Sequence, residues 1–136
     1  MRLKYYPRYG DVVGGSIVDN GGSGGIFCLL DSNGIVISTS DEEGVSYNLH
    51  PDTGKELIGF KLPQFKEAIK LVKELAFVVP NVRYVGWDLA LTTKGWVMIE
   101  GNADGTFACW QAPMNKGCRT LIDLIMSGEN SRKKKV

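Results

Sequence analysis

The stretch VGWDLALTTKGWVMIEGN, from Val85 to Asn102, constrains this chain more than any other. Two strand-forming runs flank Thr92, Thr93, Lys94 and Gly95, so the segment predicts a β-hairpin turning at those four residues. Asp88 lies on the first strand, and Glu100 and Asn102 lie on the second, two residues apart. Side chains alternate along a strand, so Glu100 and Asn102 share a face, and Asp88 can join them across the hairpin. Two carboxylates and an amide oxygen on one face make a hard-oxygen site suited to Mg²⁺ held together with a phosphate ligand. The surroundings are apolar (Leu89, Leu91, Trp96, Val97, Met98, Ile99), and a carboxylate beside a buried strand needs a partner, which a cation can be. Gly101, between the two ligands, is expected to let the backbone approach a ligand closely. The competing reading is a polar strand end facing solvent. Asp88 speaks against it, because it sits inside an apolar strand.

The rest of the chain predicts an α+β fold, an antiparallel sheet with helices on one face. An edge strand is expected near Arg2–Tyr6, ended by Pro7. A short strand at Ile17 and Val18 runs into the glycine-rich loop Asn20–Gly25. Ile26–Leu30 and Ile35–Ser38 read as strands joined by a turn at Asp31, Ser32, Asn33 and Gly34. Residues 41–62 have no clear period, and so long an irregular connection is often functional. Phe65, Ala68, Ile69, Val72, Leu75, Ala76 and Val79 recur at helical spacing, predicting a helix opened by Pro63 and stopped by Pro80. Residues 103–116 read as a loop, and a last helix is expected at about Arg119–Met126.

Charge and cysteine usage exclude several classes. Sixteen basic and fifteen acidic residues leave a net charge of +1, so no long-range field favours nucleic acid. The basic run Arg132–Lys135 lies in a tail, residues 131–136, expected to be disordered. Cys28, Cys109 and Cys118 form no CxxC pair, and this odd, dispersed set points to a reducing compartment. With no signal-peptide core and no apolar run near the roughly 20 residues of a membrane span, a cytoplasmic protein without membrane partners is expected. The single histidine, His50, has no second His or Cys at ligand spacing, which argues against zinc. Trp87, Trp96 and Trp110 read as packing residues.

The pattern of Asp88 followed by a short hairpin and Glu-x-Asn resembles the metal signature at the C-terminal end of the ATP-grasp fold. Its wording is most similar to ATP-grasp proteins associated with sugar transfer and polysaccharide gene clusters. SIVDNGGSGGI (Ser16–Ile26) resembles the family's Asn and paired-Gly loop, and HPDTGKELIGFKLP (His50–Pro63) resembles its segment before the helix. The resemblance implies that residues 1–130 form a C-terminal ATP-grasp lobe. It implies that ATP and Mg²⁺ or Mn²⁺ are bound through Asp88, Glu100 and Asn102, with Asn20, Gly24 and Gly25 contacting phosphate. Arg2, Asn20 and His50 are the implied catalytic or substrate-side residues, with Arg8 competing with Arg2. The implied reaction is ATP-dependent ligation of a carboxylate to an amine or thiol through an acylphosphate.

In that family a lobe ahead of this one supplies the phosphate-gripping lysines and the adenine-binding strand. No segment of residues 1–136 matches it. The expectation is therefore half of a ligase, inactive alone, that associates with the missing lobe or with itself. Two alternatives stand beside it. One is a metal-dependent nuclease-like site, against which Asn102 stands where a lysine is needed. The other is a non-catalytic binding module.

Overall fold

The computed structural model describes residues 2–5, 16–18, 25–78, 81–82, 84–103 and 107–127. Its strands are β1 (Arg2–Tyr5), β2 (Ser16–Val18), β3 (Phe27–Leu30), β4 (Val36–Ser40), β5 (Val85–Thr92) and β6 (Gly95–Asn102). They form one six-stranded sheet in the order β4-β3-β2-β1-β5-β6, and every adjacent pair is antiparallel. Three helices accompany them: α1 (Phe65–Val78), α2 (Ala108–Met114) and α3 (Arg119–Ser127). The α+β class and the antiparallel sheet are as the sequence predicts.

The sheet has an apolar layer on each side. α1 buries Phe65, Ala68, Val72 and Ala76, positions that recur on one helical stripe. Phe65, Ala68 and Val72 pack with Cys28, Leu30, Val36, Val85, Trp87 and Leu89. Burying a side chain such as Phe65 or Val72 contributes about 1.5–3 kcal/mol. Because strand side chains alternate, Phe27 and Leu29 point to the opposite face. There they join Tyr84, Cys118, Ile125 and Phe107, and the Tyr84 and Phe107 rings stack at 4.8 Å. The helices are thus shared between the faces: α1 lies on one, and α2 packs on the other over β3 and β4. Burial pushes the Cys28 thiol up to about 11, so this cysteine behaves as an unreactive core residue.

Besides the helices, which flank both faces of the sheet and not one as expected, two expectations change. β1 is not an edge strand, because it pairs with β2 on one side and β5 on the other. The edges are β4 and β6. Residues 103–116 are not all loop, because α2 forms within them despite Pro113 in its last turn. α1 keeps its predicted apolar face but starts at Phe65, two residues after Pro63.

The turn from β3 to β4 is built by Asp31. Its carboxylate accepts the backbone N–H groups of Asn33 at 2.8 Å and Ile35 at 2.9 Å. Gly34 follows with φ of 78°, and a Cβ there would overlap the Phe65 ring, so glycine lets the start of α1 seat on this turn.

Asp41 organises the long connection in the same way. It accepts the N–H groups of Glu43 at 2.9 Å and Val45 at 2.8 Å, and the Tyr47 hydroxyl at 2.8 Å. The Val45 bond, then the Tyr47 bond, holds its carboxyl below the usual carboxylate range. A carboxyl lowered on folding adds stability above its unfolded value, about 3.9, and loses it as pH falls through the folded value. Acid titration followed by NMR should therefore show the Val45 amide shifting with a midpoint below about 3.9. A midpoint at or above that value would remove Asp41 as the organiser of the loop.

Candidate functional site

The metal-ligand candidates are positioned by an irregularity in the β5–β6 hairpin. From the turn, Thr92 pairs with Gly95, Leu91 with Trp96 and Leu89 with Met98. Regular pairing would then set Ile99 opposite Asp88, and Glu100 opposite the buried Trp87. A β-bulge intervenes instead, and Asp88 pairs with Glu100, Trp87 with Gly101 and Gly86 with Asn102. Ile99 is the extra residue and stands 64% exposed. One inserted residue turns every later side chain to the other face. Here it moves Glu100 and Asn102 away from the α1 core and onto the face of Asp88.

Gly101 confirms that orientation. A Cβ on it would meet Trp87 Cζ3 at 2.7 Å, Cε3 at 3.0 Å and Val85 Cγ1 at 3.3 Å. The space over Gly101 is therefore filled by the buried Trp87 ring. This corrects the expectation that Gly101 opens the backbone to a ligand, since its missing side chain makes room for core packing on the opposite face.

On the candidate face Asp88 and Asn102 are half-buried and Glu100 is exposed. The Asn102 Nδ2 donates to Glu100 Oε1 at 3.1 Å, which leaves the amide oxygen as the acceptor. Gly86, opposite Asn102, adds no side chain. Asp88 and Glu100 face each other directly, an arrangement of like charges that a cation would stabilise. No group of three or more His, Cys, Asp or Glu side chains suited to a metal occurs among the described residues, and this set has only two carboxylates.

The register also locates Arg2, which pairs with Asp88 on β1. Arg2, Asp88 and Glu100 thus occupy one row across three adjacent strands. Asn20, Gly24 and the competing Arg8 lie outside the described residues, while Gly25 is half-buried just before β3. His50 is not on the hairpin. It sits in a turn of the 41–62 connection, where its backbone N–H donates to Lys55 O at 2.8 Å and its Nδ1 accepts from the Asp52 N–H at 3.2 Å. Trp96 anchors the other end of the hairpin, donating from Nε1 to Gln64 O at 2.8 Å just before α1.

The fold agrees with the family comparison, in which residues 12–126 match the sugar-transfer associated ATP-grasp family. The chain belongs to that family. It carries an ATP-binding, ligase-type domain. Neither a curated protein nor a solved structure matches it. Among the described residues no helix is long and apolar enough to cross a membrane.

Proposed function

We propose that this ATP-grasp domain supplies the Mg²⁺- or Mn²⁺-binding face of an ATP-dependent carboxylate ligase, with Asp88, Glu100 and Asn102 as the metal ligands. The observation that carries the reading is the bulged register, which sets Glu100 opposite Asp88 and Asn102 one pair further on. Two carboxylates and one carboxamide oxygen suit a hard cation shared with nucleotide phosphates. When bound, the ion would neutralise charge on the transferred phosphoryl group. Arg2, in register beside Asp88, is the favoured phosphate-side residue. Asn20, Gly24 and Gly25 are proposed to contact phosphate through their loop, and His50 to act on the substrate side. The reaction proposed is phosphorylation of a carboxylate by ATP to an acylphosphate with release of ADP, followed by attack of an amine or thiol that expels inorganic phosphate, in polysaccharide biosynthesis.

The proposed enzyme completes its site with a second lobe that grips the ATP phosphates. The exposed apolar residues Val97, Met98 and Ile99 on the edge strand β6 support such a docking partner, or self-association. Residues 1–136 alone are then expected to bind Mg²⁺ weakly and not to turn ATP over.

A Mn²⁺ titration tests the site directly. Paramagnetic broadening in NMR spectra should start at the amides of Asp88, Glu100 and Asn102. Broadening centred on Glu42 or Asp52 instead would overturn this assignment.

A further inference from the structure

We infer that a second site, for a sugar unit, lies between the end of β4 and the α2–α3 turn. A cleft of about 660 Å³ opens there, within the range of small-molecule sites. It is lined by the polar residues Glu42, Glu43, Ser46, Gln111, Asn115 and Lys116 together with Ala112 and Pro113, and polar and apolar atoms contribute comparable shares of its surface. Carboxylates accept, the ammonium donates, and the hydroxyl and carboxamides do both. That mixture suits a ligand with many hydroxyls on a compact frame. Two carboxylates against one ammonium give the lining a net negative charge, which disfavours phosphates and nucleotides.

Both walls are held in place without a ligand. On one side Asp41 binds the N–H groups of Glu43 and Val45, and the Tyr47 hydroxyl binds Asp41. On the other, Asn115 caps α2 in the left-handed conformation (φ 48°), and its N–H donates to Ala112 O at 3.1 Å. The Ser38 hydroxyl donates to Pro113 O and ties β4 to the last turn of α2 across the cleft floor. Walls ordered in advance lower the entropy cost of binding.

The cleft lies on the same face of the sheet as the metal-ligand candidates but far from them. Ser38, Leu29, Ser16, Arg2, Asp88 and Glu100 form one continuous row across all six strands. Five strand spacings separate its ends, so Ser38 and Glu100 are roughly 24 Å apart along the sheet. The sugar site therefore holds a part of a substrate remote from the phosphates. It deepens the ligase reading by naming the substrate class, but its binding requires neither metal nor nucleotide.

The test is an NMR titration of the metal-free chain with glucose, glucosamine, N-acetylglucosamine, cellobiose and chitobiose, and with inorganic phosphate as the anion probe. At least one sugar should shift the amides of Glu43, Gly44, Gln111 and Lys116 saturably, with a dissociation constant on the order of millimolar. Replacing the exposed Gln111 (Gln111→Ala) should weaken that binding roughly 3- to 10-fold while leaving the spectrum elsewhere unchanged. The proposal fails if no sugar gives saturable shifts there, if phosphate binds the cleft instead, or if Gln111→Ala leaves the affinity unchanged. None of these results bears on Mn²⁺ binding at Asp88, so failure here leaves the metal face to its own test.

Discussion

Replacing Gly101 with alanine is expected to lower the melting temperature by roughly 5–15 °C, from a cost of about 1–3 kcal/mol. The added methyl would lie 2.7 Å from Trp87 Cζ3, and Trp87 is 5% exposed, packed among the α1 core residues. The ring has no free space to move into, so the strand must shift. Because Glu100 and Asn102 flank the residue, that shift also disturbs the metal-ligand face, and Mn²⁺ binding should weaken with stability. Gly117→Ala is the control, since a Cβ there meets nothing within 4 Å and should leave the melting temperature unchanged. If Gly101→Ala melts like the parent but loses Mn²⁺, the glycine serves a ligand and the packing account is wrong.

That glycine shows where sequence reading stops. The hairpin, α1 and the Asp31 turn were legible because each is a local pattern. The hairpin shows as two strand-forming runs around a turn, α1 as an i, i+3, i+4 stripe, and the Asp31 turn as Asp and Gly between strands. The three candidate oxygen ligands are legible as residue types. The shared face of Glu100 and Asn102 follows from strand alternation, but the register that lets Asp88 join them does not, because strict pairing from the Thr92–Gly95 turn points Glu100 into the core beside Trp87. Only the bulge at Ile99 brings Glu100 opposite Asp88, and nothing in the run Trp96–Ile99 marks which residue is extra. β1 reads as an edge in the sequence because its second neighbour, β5, lies about 80 residues away, a pairing that tertiary packing decides. α2 does not show in the sequence because seven residues containing Pro113 carry a poor helix signal. The helix forms where it packs on β3 and β4. The polar cleft was invisible for a related reason, since its walls are contributed by segments some 70 residues apart.

The second large effect is expected at Asp88. In the parent chain, Mg²⁺ at ten times its dissociation constant should add about 1.4 kcal/mol to stability by mass action, raising the melting temperature by several degrees. Asp88→Asn should abolish that response, because one of two carboxylates is gone and the remaining set is too weak for a hard cation. Without metal the sign reverses. Asp88 and Glu100 are directly opposed across β5 and β6, and like charges in that position destabilise a strand pair by about 0.2–1 kcal/mol. Neutralising Asp88 relieves that repulsion, so the variant should melt slightly above the parent in EDTA. Function and stability then pull in opposite directions at this residue, as at other sites built for a ligand. The contrary result is equally informative. If Asp88→Asn melts lower than the parent in EDTA, Asp88 is chiefly a structural partner, with Arg2 in register beside it on β1. Melts of both chains, each in EDTA and in Mg²⁺, separate the two roles, because a structural aspartate would leave the Mg²⁺ increment intact.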